Sequence, residues 1–271
     1  MSNPYYKQHW IDVEAERHQA YDQILNFHPA MEPMLAPLEL AAGLKILDVG
    51  SGPGHTTIEL ARRVGDGGRV TGVDINQEFV DHATQKAREQ SMEARLEYRV
   101  CSFPPLPFAD SSFDRVWCKN VLEYVDSSAA TVAEMARVTA PSGIVVAVDS
   151  DWEMLALQLG NPLAQSRSDR ILDCARRIAL KEPRIGRKLH NLFHEAGLAE
   201  VQVKILSGAD QVGRALPMLR ASLGRYAVDS GDVSSDEVRQ WLADIDDAIA
   251  HGRYLFVLPQ FVVRGEKVRL D

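Results

Sequence analysis

Three glycines, Gly50, Gly52 and Gly54, stand directly after the apolar run Lys45–Val49 and directly before a segment of helical character that starts at His55. Glycine at such a turn lets the backbone fold sharply and approach a ligand closely, and the helix start presents free N–H groups. The spacing discriminates between ligands. A dinucleotide fingerprint, G-x-G-x-x-G, would need its third glycine at position 55, which is histidine. The chain reads instead Asp48-Val-Gly50-Ser51-Gly52-Pro-Gly54, with a carboxylate at the strand end. A carboxylate beneath the turn would repel a pyrophosphate and suits a ligand that carries an ammonium group. A second acid, Asp74, closes the run Arg69-Val-Thr-Gly-Val-Asp74. There it is placed to accept two hydrogen bonds from a ribose diol.

An ammonium, a ribose diol and no phosphate describe S-adenosylmethionine (AdoMet). The elements around these acids agree with a nucleotide-type fold. Strands are expected at 45–49, 69–73, 95–100, 113–118 and 144–148, with helices at 55–64, 77–90 and 128–140 between them. Strands alternating with helices of this length build βαβ units, hence a parallel sheet with helices on both faces. Before this rhythm, residues 5–27 read as one amphipathic helix, with Tyr6, Trp10, Val13, Arg17, Tyr21 and Leu25 at steps of three or four. After it, 151–180 reads as a mainly helical insertion and 186–196 as a helix, followed by a strand at 200–206. Helices are expected at 216–226 and 235–250. A final strand is expected at 254–263, interrupted by Pro259, and the last two strands would close the sheet as a hairpin-like pair.

With these elements in place, the sequence resembles the class I AdoMet-dependent methyltransferases over roughly residues 40–150. Three further segments carry the likeness: Leu106-Pro-Phe-Ala-Asp-Ser-Ser-Phe-Asp114, Val121-Leu-Glu-Tyr-Val125 and Arg137-Val-Thr-Ala-Pro-Ser-Gly-Ile144. The similarity is to the branch holding ubiquinone/menaquinone C-methyltransferases and small-molecule O- and N-methyltransferases. It implies a Rossmann-like, doubly wound, mostly parallel seven-stranded sheet with an antiparallel last strand. It implies a lid at 1–40 and a catalytic domain at 41–271, with helical insertions at about 151–183 and 208–251 as a cap. It implies AdoMet as methyl donor, with S-adenosylhomocysteine as product. Gly50, Ser51, Gly52 and Gly54 would line its methionine part, and Asp48 would orient the turn and the amino group. Asp74 would hold the ribose, Ile75 would lie on the adenine, and the carbonyl near Asn120 would face the methionine end. The family's usual acid four residues before Leu106 is Ser102 here, so a hydroxyl replaces a carboxylate at the adenine amine, with Phe103 beside it.

Methyl transfer needs a nucleophile held in line behind the methyl, water kept out and, for an O–H or N–H acceptor, a proton taken up. Carboxylates at strand ends are the candidates: Glu123 after strand four, and Asp149 or Asp151 after strand five. His9 and His18 are second choices on the N-terminal helix. Tyr5, Tyr6, Trp10 and Tyr21 would form an aromatic lid, since aromatic faces attract cations such as the sulfonium. Trp152, Arg184 and Arg187 are candidates for contact with the acceptor.

The 271 residues carry a net charge of −8, which argues against a general nucleic-acid surface. Cys101, Cys118 and Cys174 show no ligand spacing, so neither a metal site nor a disulfide framework is expected. The N-terminal residues lack a signal-peptide core, no run is long enough to span a membrane, and a cytoplasmic location is expected. The expected partner is a small organic acceptor methylated on O or N, by a monomer or a homodimer. A methyltransferase for a peptide, protein or RNA and a non-catalytic AdoMet-binding protein are the alternatives.

Overall fold

A computed structural model of the chain describes residues 4–24 and 26–269. In chain order the elements are α1 (Tyr5–Ile11), α2 (Ala15–Ile24), α3 (Glu32–Leu35), β1 (Lys45–Val49), α4 (His55–Val64), β2 (Arg69–Asp74), α5 (Gln77–Glu89), β3 (Leu96–Val100), β4 (Phe113–Lys119), α6 (Ser128–Val138) and β5 (Thr139–Ser150). There follow β6 (Ala156–Gln158), α7 (Pro162–Ala179), α8 (Ile185–Glu195), β7 (Leu198–Leu206), α9 (Leu216–Met218), α10 (Arg225–Asp229), α11 (Ser235–Ala250), β8 (Leu255–Val257) and β9 (Gln260–Lys267).

Seven strands form one sheet in the order β3-β2-β1-β4-β5-β9-β7. The pairs among β1 to β5 are parallel, and β9 runs antiparallel to both its neighbours, β5 and β7. This is the Rossmann-like sheet with an antiparallel last strand that the sequence implied. Parallel strands are covered on both faces, and the central ones carry the continuous apolar runs such a position demands. Ile46, Leu47 and Val49 of β1 and Val145 to Val148 of β5 are fully buried. The flanking helices turn one apolar side to them. In α4 the buried positions are Thr57, Ile58, Leu60, Ala61 and Val64, and in α5 they are Phe79, Val80, Ala83 and Ala87.

The segments outside this rhythm depart from the expectations. The single helix read over 5–27 is two helices. At Asp12 the backbone is extended, and the break lets Val13 pack against Tyr21 and Phe79, a contact one straight helix would not make. Leu25 lies outside the described residues. In 151–180 only α7 is a long helix. Asp151 caps a short 3-10 turn at Trp152–Met154, and β6 follows, pairing with β8 in a separate two-stranded sheet. Pro259 divides the strand read at 254–263, so that β8 joins β6 while β9 enters the main sheet. Leu216 to Asp229 is helical throughout but passes through π-helical turns at Leu219–Gly224. Together α7, α9, α10, α11 and β8 bury a second core around Trp241, Ile171, Tyr226 and Ile245. No described helix is long and apolar enough to cross a membrane.

Candidate active site

The turn after β1 is shaped by its glycines. Gly50, Gly52 and Gly54 have φ of 76°, 51° and 84°, the left-handed region where a side chain is strained. Space adds a second constraint at two of them. A Cβ on Gly50 would lie 2.1 Å from a Val121 methyl, and one on Gly54 would lie 2.7 Å from the Tyr98 hydroxyl and 2.8 Å from Ala83. The turn is then held by main-chain donors. Gly50 N and Ser51 N donate to the Val73 carbonyl at 2.8 and 3.0 Å. Gly52 N donates to Asp74 Oδ2 at 2.8 Å, and Asn76 N donates to Asp74 Oδ1 at 2.9 Å. The first carboxylate, Asp48, accepts from Thr57 Oγ1 at 2.6 Å and is otherwise enclosed. Burial, with the nearby Asp74 charge adding to it, pushes the Asp48 carboxyl up to about 7. Burial also raises Asp74, against the pull of its backbone donors.

These residues open into a cavity of about 290 Å³ at the carboxyl ends of β1, β2 and β4. Open α/β sheets bind ligands at this edge. Its floor is Asp48, Gly50 to Gly52, Asp74, Ile75, Lys119 and Asn120, with Phe103 at one side. Glu123 closes the far side. It is 1% exposed, and its Oε2 accepts from Trp152 Nε1 at 2.5 Å. Its carbonyl receives Lys181 N and Glu182 N at 2.9 and 3.2 Å, so the α7–α8 connection fixes its place. Burial lifts the Glu123 carboxyl to about 7, opposed by the Trp152 and Tyr124 hydrogen bonds and the charge of Lys119. Asp149 lies behind it, fully buried. Leu122 N donates to its Oδ2 at 3.2 Å, and Oδ1 has no hydrogen-bond partner among the described residues. Burial and then the charge of Glu123 hold Asp149 well above the usual carboxylate range.

The roof is aromatic and comes from distant parts of the chain. Trp10, Tyr21, Tyr124 and Tyr226 line it, with Met218, Ser222 and Leu223 from the second insertion and Leu180 from the end of the first. Tyr21 Oη meets Tyr226 Oη at 2.9 Å and Ser222 Oγ at 3.2 Å, and Arg17, only 7% exposed, donates to the Tyr21 hydroxyl at 3.1 Å. Two anchors tie this roof to the floor. Asn76 Nδ2 donates to the carbonyls of Trp10 and Ile11 at 3.0 and 3.1 Å. Asp22 on α2 takes hydrogen bonds from Lys86 and from His55, the residue that begins α4. Although burial would raise it, those partners pull the Asp22 carboxyl down to about 2.

Of the residues singled out from the sequence, Asp48, Gly50, Ser51, Gly52, Asp74, Ile75, Phe103, Asn120, Glu123, Trp10, Tyr21 and Trp152 all line this one cavity. The others stand off it. Gly54 caps α4, and Ser102 points outward and is exposed. Asp149 is the layer beneath Glu123. His9 is buried between Tyr5 and Tyr226, and burial brings its imidazole down to about 4, so it stays neutral near pH 7. Tyr6 does not line the cavity but donates at 3.0 Å to Asp126 at its edge, and Arg187 pairs with Asp151 away from the cavity. Sequence reasoning missed the side chains of Lys119, Tyr124, Ser222 and Tyr226. Lys119 alone left a signal, a charged residue directly after the apolar run Val116–Cys118.

Comparison with known proteins agrees with this geometry. Residues 47–147 match the family profile described as methyltransferase domain. The chain therefore contains a methyltransferase domain. The chain is 29% identical over 145 residues to the ubiquinone/menaquinone biosynthesis C-methyltransferase UbiE of Geotalea daltonii, covering 52% of this chain and 62% of that one. It is 28% identical over 135 residues to the 27-O-demethylrifamycin SV methyltransferase of Amycolatopsis mediterranei, covering 50% of this chain and 47% of the relative. Across such curated relatives the chain spans 40% to 64% of their own length. The fold superposes on the crystal structure of the YcgJ protein of Bacillus subtilis with a TM-score of 0.63, at 21% identity, over 90% of this chain and all of the other.

Proposed function

We propose that this chain transfers the methyl group of AdoMet to an oxygen or nitrogen of a small organic acceptor, with Glu123 receiving the acceptor's proton. One observation carries the reading: the glycine turn with its two buried carboxylates and the buried Glu123 line a single cavity. The turn supplies what the donor's methionine and ribose need. Asp48 and Asp74 accept hydrogen bonds, and Gly50 and Gly52 present bare main chain to the cavity. Ile75 and Phe103 offer apolar surface for the adenine. AdoMet itself brings the electrophilic methyl and the leaving group, so the protein's part is to orient, to exclude water and to take a proton.

Glu123 suits the last task. An ionised carboxylate would accept the O–H or N–H proton as the new bond to carbon forms, and its raised affinity for protons makes it a better base than a solvated glutamate. The aromatic roof supports a small acceptor rather than a macromolecule, because α1 and α2 close over the cavity and are tied down at Asn76 and at Asp22.

The test is a titration followed by a screen. S-adenosylhomocysteine is expected to bind while NAD does not, and an acceptor panel run with AdoMet is expected to yield a methylated small molecule. Turnover on RNA or protein alone would overturn the acceptor assignment. For Glu123, the variant Glu123→Gln is expected to keep S-adenosylhomocysteine affinity within about twofold and to lose about a hundredfold in kcat, the usual scale of a general base. An unchanged kcat would remove Glu123 from the chemistry.

A further inference from the structure

Four basic side chains line the cavity: Lys7, His55, Lys119 and Arg176. Three are committed to protein partners. Lys7 Nζ pairs with Asp126 at 2.9 Å, His55 Nε2 with Asp22 at 2.8 Å, and Arg176 donates to the Trp152 carbonyl at 2.9 Å. The Lys119 ammonium makes no hydrogen bond or ion pair with any described residue. It is half-buried and ends β4, the strand paired with β1 in the register Val49 to Cys118. That register sets Lys119 beside the start of the glycine turn. The next residues confirm the proximity: Asn120 turns the chain at φ 54°, and Val121 packs directly beneath Gly50, where a Cβ would touch its methyl. Lys119 and the glycine turn are therefore two sides of the same small space.

The cavity floor otherwise carries only negative groups. Asp48, Glu123 and Asp149 are each near enough for their charges to act on Lys119, and they oppose the lowering of its pKa by burial. None of them is in ion-pair contact with it, so the ammonium has hydrogens to offer to a ligand. An anionic group entering a low-dielectric site needs such a partner, because desolvating a lone carboxylate is costly. Resting on the reading that AdoMet is the donor held by this turn, we infer that Lys119 pairs with its methionine carboxylate. Asp48 then serves the ammonium on the same carbon. A cation on β4 and an anion on β1 would grip the two ends of one amino-acid group.

The sequence offers the turn no basic residue of its own: from Asp48 to Gly54 it contains none. In this arrangement Lys119 is a binding residue that reads the carboxylate and takes no part in proton transfer. The same lysine would repel a donor lacking the carboxylate, which carries one more net positive charge.

The test uses binding alone, on the full chain, by calorimetric titration with AdoMet and with decarboxylated AdoMet. The wild type is expected to bind AdoMet more tightly than the decarboxylated ligand. Lys119→Met is expected to lose about tenfold or more for AdoMet, the scale of a charge-assisted hydrogen bond in a buried site. Its affinity for decarboxylated AdoMet should stay level or rise, since a repulsive charge has gone, and that result also shows the variant is folded. Lys119→Arg should recover most of the AdoMet affinity. An AdoMet affinity within about twofold of wild type in Lys119→Met, or equal losses for both ligands, would overturn this inference while leaving the cofactor reading intact. Failure of the wild type to bind either ligand would overturn both.

Discussion

The glycine turn under the cavity is held through its own backbone N–H groups, which bond to Val73 and Asp74 close by, whereas the roof over it is held by side chains some 200 residues apart in sequence, Tyr21 to Ser222 and Tyr226. The two halves respond to mutation differently for that reason. In the floor, backbone N–H groups of Gly50, Ser51, Gly52 and Asn76 all find partners within β2 or its end, and the side chains that matter are mostly ones that must be absent. In the roof, the backbone is mostly helix with π-helical turns at Leu219–Gly224, and shape depends on hydroxyls, rings and the buried Arg17 guanidinium. A floor of this kind fixes one ligand and tolerates little change. A roof of this kind is open to revision by single substitutions, which suits a surface that selects the acceptor.

The sharpest way to break the comparison is to put a side chain on the floor. Gly50→Ala places a methyl 2.1 Å from Val121 Cγ2 at a φ of 76°. Left-handed strain plus overpacking is expected to cost about 2–5 kcal/mol, read as a lower denaturation midpoint together with loss of S-adenosylhomocysteine binding. The double variant with Val121→Ala should recover the steric part and leave the strain of about 1–2 kcal/mol. If Gly50→Ala alone were neutral, the turn would be far less constrained than its contacts require.

Next in size is Asp74→Ala. It removes acceptors from Gly52 N and Asn76 N at once, leaving two buried donors unpaired. S-adenosylhomocysteine affinity is expected to fall at least about tenfold, with a stability loss of about 1–3 kcal/mol. Retained affinity would show that the ribose is held elsewhere. Both of these positions were legible in the sequence, and for the same reason. A turn that demands positive φ leaves glycine as its trace, and an acid ending a strand stands out against apolar neighbours. Glu123 was legible in the same way. The roof was not. Tyr226 and Ser222 lie in a helical stretch whose pattern says only that some side is buried, and nothing local indicates that Tyr21 is the partner. The break after α1 was equally hidden, because Val13, Arg17 and Tyr21 keep helical spacing across it while the break itself is fixed by packing on Phe79. Pro259 was visible, but its effect, sending β8 and β9 into different sheets, depends on β6, a three-residue strand with no signature of its own.

A third, smaller effect follows from the two raised carboxyls of the floor. Asp48 and Glu123 bind protons more tightly folded than unfolded, with folded values near 7 against ordinary values of 3.8 and 4.5. A folded pKa above the unfolded one gives stability that is complete below the unfolded value and is lost as pH rises through the folded one. The ligand-free protein is therefore expected to lose stability between about pH 4 and 7 and to level off above, at a limit of about 1.4 kcal/mol per pH unit for each group. Asp48→Asn and Glu123→Gln should each flatten part of that slope, as measured by thermal melts across the range. His9 beside the roof acts in the opposite sense: burial brings its folded value to about 4 against an ordinary 6.5, so its contribution grows as pH rises over that window and offsets part of the slope, which His9→Gln should steepen.

The smallest effect tests the roof itself. Tyr226→Phe removes one hydroxyl from the Tyr21, Ser222 and Arg17 network and leaves the ring in place. The expected loss is about 1 kcal/mol of stability, because Tyr21 keeps Ser222 and Arg17 as partners. S-adenosylhomocysteine affinity should be unchanged, since none of the floor's hydrogen bonds passes through this residue. For an acceptor found by screening, KM should move while the affinity for the donor product does not. That split separates the halves: floor variants such as Asp74→Ala change the donor term, and roof variants change the acceptor term. If Tyr226→Phe lowered S-adenosylhomocysteine affinity as Asp74→Ala does, the roof would be part of the donor site, and the division between a backbone-built floor and a side-chain-built roof would fail as an account of which half reads which substrate.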